Sequence, residues 1–369
     1  MTRIWCSISS HGFGHAAQMV PVLNELGRRV PGFAAILRTQ VPARFFEGRL
    51  GIPWELSPAP QDIGCVQRGP LAIDVEATRA AYLRFHEDWE TKVAAEARAI
   101  RSCKPALVLS DISYLAIEAG AAANVPAVGL CNLTWDGILA MLLESDSRER
   151  LQLIERIRQS YRSAALMIRL APGIPMGAFR KIADVGPVAE LVTSEAGALR
   201  EAVGAGAEER VALVAFGGID LDGLPCDRLD RIHGWRFVVS GPVPAGAVRI
   251  CSADSIPLSF SALIASADVI VTKPGYATTV EAVAYRKPIV YVRRYNFADE
   301  AGLVEYLHRY GCGAELSAED FAAGHWASAL AEASAGTPKS EAPAPTGAAE
   351  AAEILAKYLC RDGASGRNP

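Results

Sequence analysis

Two histidines bracket a glycine-rich turn near the start of the chain, in the run His11-Gly-Phe-Gly-His15. An apolar strand-like run (3–9) precedes this turn, and apolar residues at helical spacing follow it. Glycines let the backbone approach a ligand closely, and the free amides at a helix start favour an anion. Because histidine exchanges a proton near neutral pH, the turn predicts a general base, His15 or His11, beside a ligand. The alternative is that both histidines cap the turn through backbone hydrogen bonds.

The same turn also matches a dinucleotide-binding fingerprint, G-x-G-x-x-A, in Gly12-Phe-Gly-His-Ala-Ala17. That fingerprint expects an acidic residue after the second strand, where this chain has Arg38-Thr-Gln40. The missing carboxylate argues against NAD. An arginine suits a 2′-phosphate, so NADP stays open.

A second turn of this type follows the apolar run 269–272, in Lys273-Pro-Gly-Tyr-Ala-Thr278. A buried strand that runs into a glycine turn and a helix start is a natural cradle for a diphosphate, with Glu281 within reach of sugar hydroxyls. The alternative is a capping box, in which Thr278 and Glu281 satisfy the helix's own amides. Gly217-Gly218 and Ser240-Gly241 end neighbouring predicted strands at the same edge, which favours a ligand.

The elements that must position these turns alternate between strand and helix. The pattern predicts an α/β protein with mainly parallel sheets and two similar domains that face a central cleft. The predicted helices include 78–100 and a helical stretch from 135 to about 161, and a strand at 106–109 leads to Asp111. Four regions are expected: an N-terminal domain (1–186), a C-terminal domain (187–335), a flexible linker (336–346) and a last helix with a tail (347–369).

Composition excludes several classes of protein. The chain has 369 residues, of which 50% are hydrophobic, so it is not a disordered chain. A net charge of −4 argues against a general nucleic-acid binder. The 8 cysteines form no CxxC pair, which predicts reduced thiols in a cytoplasmic protein and no structural zinc. No run is long and apolar enough for a membrane span or a signal peptide.

Several long motifs resemble the glycosyltransferase-like domain of plant L-arabinokinases and, more distantly, GT-B glycosyltransferases, including the peptidoglycan N-acetylglucosaminyltransferase family. They are Ser10-His-Gly-Phe-Gly-His-Ala16, Asp62-Ile-Gly-Cys-Val-Gln67, Ser110-Asp111, Thr134-Trp-Asp136, Lys273-Pro-Gly-Tyr-Ala-Thr-Thr-Val-Glu-Ala-Val-Ala-Tyr285, Val292-Arg-Arg294 and Asp299-Glu300. The resemblance spans roughly residues 3–320. It implies a GT-B fold of two Rossmann-like domains, the first for an acceptor and the second for a nucleotide-sugar. No ATP loop follows residue 320, so sugar phosphorylation is not expected.

The resemblance also implies roles for individual residues. His15 matches the histidine near the acceptor, with His11 and Asp111 as further catalytic candidates. Candidate acceptor-binding residues are Gly12, Phe13, Gly14, Trp135 and Asp136. Candidate donor-binding residues are Gly217, Gly218, Ser240, Gly241, Ile256, Gly275, Ala277, Thr278, Thr279, Glu281, Arg294, Asp299 and Glu300. Among these, Glu281 is expected to hold the ribose, Ile256 to lie at the base, and Asp299 and Glu300 to contact sugar hydroxyls.

The resulting interpretation is an inverting, metal-independent glycosyltransferase that uses a UDP-sugar as co-substrate and no other cofactor. Asp220-Leu-Asp222 has the D-x-D form of a metal motif, but its surroundings indicate a turn. Two alternatives stay open: a nucleotide-sugar epimerase, and a regulatory protein that binds a nucleotide-sugar without turnover. The sequence does not identify the sugar, the acceptor or the oligomeric state.

Overall fold

The structure is a computed structural model that describes residues 2–69, 71–143, 147–217 and 224–359. The described residues form two parallel sheets and one short antiparallel hairpin. The strands are β1 (Thr2–Ile8), β2 (Phe33–Arg38), β3 (Trp54–Ser57), β4 (Gln67–Arg68), β5 (Ala72–Ile73), β6 (Leu107–Asp111), β7 (Ala127–Cys131), β8 (Leu166–Leu170), β9 (Ile182–Val185), β10 (Arg210–Val214), β11 (Trp235–Val239), β12 (Ile250–Ser252), β13 (Val269–Thr272), β14 (Ile289–Tyr291) and β15 (Gly313–Glu315).

Helices connect most of the strands, as the alternating pattern predicts. They are α1 (Gly14–Arg29), α2 (Val75–His86), α3 (Trp89–Cys103), α4 (Tyr114–Ala122), α5 (Trp135–Leu142), α6 (Arg148–Tyr161), α7 (Ala196–Ala202), α8 (Cys226–Leu229), α9 (Phe260–Ser266), α10 (Tyr276–Ala284), α11 (Glu300–Tyr310), α12 (Ala318–Ala323), α13 (Ala327–Ala335) and α14 (Gly347–Leu359). None of the helices in the described ranges is long and apolar enough to cross a bilayer.

The first sheet has the strand order β3-β2-β1-β6-β7-β8-β9, with every pair parallel. Strands β1 and β6 lie side by side at its centre, with Ile8 opposite Asp111. Both strands are buried along most of their length, as expected for a parallel sheet covered on two faces. The carboxyl ends of β1 and β6 therefore meet at one edge, where the histidine turn begins.

The second sheet has the order β12-β11-β10-β13-β14-β15 and is also parallel throughout. It brings Gly217, just after β10, next to Lys273, which follows β13. The α/β class with parallel sheets is thus confirmed, while the domain boundaries 186/187 and 335/336 stay predictions.

Two predicted helices are wrong in their extent. The helix expected at 78–100 is divided, because Asp88 takes a left-handed conformation (φ 52°) between α2 and α3. The stretch expected from 135 to 161 is likewise two helices, α5 and α6. Neither α2 nor α3 carries a glycine or proline at the break, so local sequence offered no signal. Seven short strands were also not predicted: β3, β4, β5, β8, β9, β12 and β15.

The last helix packs back on the first. Helix α14 buries Ala351, Ala352 and Leu355 in the same apolar cluster as Met19 and Leu23 of α1. At its start, the Gly347 amide donates to the Pro187 carbonyl at 3.0 Å. The cluster continues into β10 and α10, so one apolar core joins both sheets behind the cleft.

We expect Leu355→Ala to destabilise the protein by roughly 2–5 kcal/mol, because it leaves a cavity in this shared core. Urea unfolding measures the change. The matched control is Lys357→Ala on the exposed face of α14, with an expected change within about 0.5 kcal/mol. Equal effects of the two substitutions would contradict the packing of α14 into this shared core.

Candidate functional site

A narrow cleft of ≈ 110 Å³ lies between the carboxyl ends of the two sheets. Both halves of the chain line it. The N-terminal half contributes His11, Gly12, Gly14, His15, Gln18, Asn132 and Leu133, and the C-terminal half contributes Gly217, Thr272, Lys273, Pro274, Gly275, Tyr276, Ala277, Thr278, Arg294, Phe297 and Asp299. Ten of the residues predicted from sequence therefore line one cleft: His11, Gly12, Gly14, His15, Gly217, Gly275, Ala277, Thr278, Arg294 and Asp299.

The histidine turn makes direct contact with the second sheet. The Phe13 amide donates to the Gly217 carbonyl at 3.3 Å. Gly12 has φ 77°, and a Cβ atom there would lie 3.0 Å from the same carbonyl oxygen. A glycine is needed at position 12 because both the conformation and the close approach exclude a side chain.

His15 and Asp111 form a buried pair on the N-terminal wall. His15 lies in the first turn of α1, and its Nδ1 is 3.0 Å from Oδ1 of Asp111, which ends β6. Gln18, one turn further along α1, donates from Nε2 to the same oxygen at 3.0 Å. Burial alone would lower the pKa of His15, but the charge and hydrogen bond of Asp111 outweigh it and raise this pKa. The pair assigns the Nδ1 proton to the Asp111 bond and leaves Nε2 able to accept a proton.

Asp62 supports this pair through Trp135. Asp62 accepts hydrogen bonds from Ser9 Oγ and Trp135 Nε1, both at 3.0 Å. The Trp135 ring packs against His15 with centroids 5.8 Å apart, and against the edge of His11 at 5.7 Å. Burial raises the pKa of Asp62 to about 6, and its negative charge adds to the raised pKa of His15. Trp135 therefore forms a fully buried wall behind the cleft rather than a surface within it.

His11 uses both of its ring nitrogens inside the protein. Its Nδ1 accepts from the Cys65 amide at 3.2 Å, and its Nε2 lies 3.1 Å from the side-chain amide of Gln67. Rotating that amide by 180° pairs Nε2–H with Gln67 Oε1, an oxygen that otherwise has no partner among the described residues. Gly64 (φ 63°) is needed here because a Cβ would lie 2.5 Å from the His11 ring. His11 is thus held as a neutral ring, and burial lowers its pKa well below the usual value.

The opposite wall is the start of α10. The helix begins at Tyr276 after Gly275, and within the part of the chain that the structure describes no side chain caps its first amides. Thr278 and Glu281 lie inside the helix, so the capping box considered as an alternative is wrong. The uncapped amides face the cleft beside Gly275, Ala277 and Thr278, an arrangement typical of anion sites.

Two cations stand beside these amides. Lys273 lines the cleft, and burial together with the charge of Arg294 lowers its pKa to about 7. Arg294 also lines the cleft but is fixed by Glu300, whose Oε1 accepts from Arg294 Nε at 2.7 Å. Lys273 is not among the site residues predicted from the sequence, although its position directly after a buried strand was a usable signal. Glu300 is the hydrogen-bond and ion-pair partner of Arg294, and it does not line the cleft.

Asp299 joins the two walls. Its Oδ2 accepts from Asn132 Nδ2 at 3.0 Å, a hydrogen bond between the two halves of the chain. Its Oδ1 is buried and has no hydrogen-bond partner among the described residues. Burial raises the pKa of Asp299.

Several predicted residues lie away from the cleft lining. Glu281 is buried with Oε1 3.4 Å from the Glu190 amide, and burial raises its pKa to about 8. Asp136 pairs with Arg158 at 3.0 Å. The others are Phe13, Ser240, Gly241, Ile256 and Thr279. Their ligand roles stay predictions, and Gly218, Asp220 and Asp222 lie outside the described residues.

Two questions about cofactors follow from this geometry. Arg38, the residue that left NADP open, donates to Glu96 at 2.8 Å and to Ser57 at 2.9 Å, so its guanidinium is already bound.

Within the described ranges, His15, Asp111 and Cys131 form a group with ligand atoms within 4.8 Å of one another. Burial raises the pKa of the Cys131 thiol well above its usual value, and His15 and Asp111 are bonded to each other. A metal would have to displace both the thiol proton and that bond.

Known proteins resemble this chain in sequence and in fold. No protein-family model matches it. Over 326 residues it is 28% identical to an L-arabinokinase of Arabidopsis thaliana, a match that covers 86% of this chain and 31% of that protein. The chain thus spans about a third of the length of this relative.

Solved structures with similar folds are glycosyltransferases. The calicheamicin glycosyltransferase CalG4 superposes with a TM-score of 0.65 at 17% identity over 100% of both chains. The glycosyltransferase of kitacinnamycin gives 0.65 at 15% identity over 97% of this chain and 99% of that one. A UDP-glucosyltransferase from Polygonum tinctorium gives 0.62 at 14% identity, over 97% and 98%. The resemblance inferred from the motifs is confirmed, and the chain has the GT-B fold that these glycosyltransferases share.

Proposed function

We propose that this protein is a glycosyltransferase that moves a sugar from a nucleotide-sugar to a small acceptor. One observation carries the proposal: a buried His15–Asp111 pair faces an uncapped helix start flanked by Lys273 and Arg294 across one cleft. The first group can remove a proton, and the second can stabilise a departing diphosphate. Both are needed for transfer from a nucleotide-sugar, and they lie on different halves of the chain.

The chemistry follows from these positions. Nε2 of His15 takes the proton of the acceptor O–H, and Asp111 stabilises the imidazolium that forms. The acceptor oxygen bonds to the anomeric carbon while the bond from that carbon to the phosphate oxygen breaks. The electron pair leaves on the diphosphate, which the α10 amides and Lys273 stabilise. A single in-line displacement of this kind inverts the anomeric carbon, and no step in it uses a metal.

The donor proposal rests on the structural neighbours. A Medicago truncatula protein of similar fold was solved with UDP-glucose, and the glycosyltransferase VinC was solved with dTDP. We therefore propose a UDP-sugar, with a TDP-sugar as the comparison. The cleft holds ≈ 110 Å³, less than the roughly 300 Å³ at which ordinary ligand pockets begin, so a nucleotide-sugar requires the two walls to separate.

The direct test combines donor binding with turnover. A thermal-shift series with UDP-, TDP- and GDP-sugars should show stabilisation by a UDP-sugar, about 2.7 kcal/mol at 100 times its Kd. With an acceptor present, nucleotide release should fall about 10²- to 10⁴-fold in His15→Ala, while donor binding persists. His325→Ala, at an exposed histidine, is the control. Binding without release of UDP would favour the regulatory alternative, and sugar isomerisation without an acceptor would favour the epimerase.

Asp111→Asn should shift the pH dependence of turnover. A general base works in its neutral form, so activity rises as the pH passes above the pKa of His15. Because Asp111 raises this pKa, its replacement should move the acid limb of the kcat/KM profile to lower pH. The plateau rate should fall, since the imidazolium loses its partner. A limb that stays in place while the plateau falls would exclude His15 as the titrating base.

Lys273→Met should weaken UDP binding by at least about tenfold. Methionine is similar in length to lysine but carries no charge, so the substitution removes only the cation beside the diphosphate cradle. Lys273 has a pKa of about 7 in the free protein, and only its charged form attracts the diphosphate. The Kd for UDP should therefore rise as the pH increases above about 7 in the unaltered protein and rise less in the variant. Calorimetry at several pH values measures this. Lys357→Met on α14 is the control, and equal pH dependence in both variants would contradict the assignment.

A further inference from the structure

The wall around His15 presents hydrogen-bond acceptors that no described residue satisfies. Gln18 Oε1 and Asp111 Oδ2 are buried without a partner, and Asp299 Oδ1 is in the same state on the facing wall. Gln18 and Asp299 both line the cleft, and each is more than nine-tenths buried. Asp111 itself does not line the cleft. Both cleft atoms are oxygens, so a molecule that satisfies them has to bring hydrogens.

The orientation of Gln18 is determined by its neighbours. Its Nε2 donates to Asp111 Oδ1 at 3.0 Å and to Cys131 Sγ at 3.2 Å. Rotating the amide would place Oε1 against the Asp111 carboxylate, which repels it. The oxygen is therefore the atom left over for a ligand. Leaving a buried acceptor atom without a hydrogen bond costs about 1–3 kcal/mol. A ligand hydroxyl or ammonium group that donates to the atom removes this cost.

The space beside these oxygens is small and is bordered by buried side chains. Trp135 is fully buried behind His15 and is held by its hydrogen bond to Asp62. Leu133 and Phe297, each 5% exposed, close two further sides. Trp135, Asp62 and Leu133 all belong to the N-terminal half, so separation of the two halves leaves this side of the space unchanged. A flat aromatic acceptor with one hydroxyl would leave Gln18 Oε1 and Asp299 Oδ1 without hydrogens.

The charges in the cleft are compatible with the same ligand. Asp62 and Asp111 stand on the N-terminal side and Asp299 on the other, while the positive charge of Arg294 is already matched by Glu300. Lys273 remains for the diphosphate. The acceptor side of the cleft thus carries no cation of its own among the described residues apart from a protonated His15, and it favours hydroxyl or ammonium groups over an anion.

We propose that the acceptor is a small molecule with several O–H or N–H donors on neighbouring carbons, such as a polyol, a monosaccharide or an amino sugar, rather than a phenol. This inference rests on the proposed glycosyltransferase function. One hydroxyl gives its proton to His15 Nε2 and forms the new bond to the anomeric carbon, as the donor's bond to phosphate breaks. The neighbouring hydroxyls donate to Gln18 Oε1 and, on the facing wall, to Asp299 Oδ1.

The test compares acceptors that carry many hydroxyl donors with acceptors that carry one. Release of UDP from UDP-sugars is measured with myo-inositol against cyclohexanol, and with xylitol against phenol. Glucosamine separates ammonium from hydroxyl recognition. We expect kcat/KM to be at least 100-fold higher for the polyhydroxylated member of each pair. Equal or reversed rates, with UDP-sugar still consumed, would overturn the inference and leave the proposed function standing.

Two variants locate the effect. Gln18→Met removes the acceptor oxygen and should reduce the preference for myo-inositol over cyclohexanol at least tenfold. This ratio is independent of any change that affects the rates with both acceptors equally. Leu133→Ala enlarges the cleft next to His15 and should raise the relative rate with phenol, a gain that a folding defect cannot produce. An unchanged preference in Gln18→Met would also overturn the inference.

A binding measurement separates the two proposals. Calorimetry with UDP present should detect myo-inositol and not cyclohexanol in the full chain. If the protein binds no UDP-, TDP- or GDP-sugar and consumes none of them, the glycosyltransferase proposal fails and this inference fails with it. If UDP binds and cyclohexanol or phenol binds as well as the polyols, only the acceptor class is wrong.

Discussion

The buried carboxylate of Asp111 is the constraint on which the N-terminal half depends. A carboxylate with no exposure to water needs hydrogen-bond donors, and both of its donors come from the first turns of α1, at His15 and Gln18. Helix α1 must therefore begin immediately after the turn that follows β1. Strand β1 lies next to β6, with Ile8 opposite Asp111, so a turn of a few residues is enough. The same bond commits Nδ1 of His15 and leaves Nε2 for a substrate.

The second half of the chain is organised around charge of the opposite sign. Helix α10 starts without a side-chain cap, and Lys273 precedes it at the end of a buried strand. Lys273 and Arg294 are not equivalent, because Arg294 is held by Glu300 and packs over Phe297 at 4.0 Å. Arg294 thus has its charge matched by Glu300, whereas burial lowers the pKa of Lys273 to about 7.

The contacts between the halves differ in kind on the two sides of the cleft. At the cleft they include hydrogen bonds between Phe13 and Gly217 and between Asn132 and Asp299. Behind it, the apolar cluster of α1, α14 and α10 is continuous. A few hydrogen bonds separate at lower cost than an apolar core, so the two halves are held together more strongly behind the cleft than at it.

The sequence by itself determined the features that follow from local spacing. Alternation of strand and helix predicts two parallel sheets, and the ends of parallel strands meet at one edge, which brings the His15 turn and Asp111 together. The same rule placed Gly217 and Gly275 at the facing wall, whereas Asp299 was implied by the family resemblance alone. The tertiary structure alone decided which of these groups have a free atom. His11 and His15 look alike in sequence, but Cys65 and Gln67, some fifty residues away, take up both nitrogens of His11. Glu300 and Asp299 are neighbours, yet only Asp299 keeps a free oxygen, because Glu300 is bound to Arg294. Partners distant in sequence, rather than residue type or spacing, set the availability of each hydrogen-bonding atom.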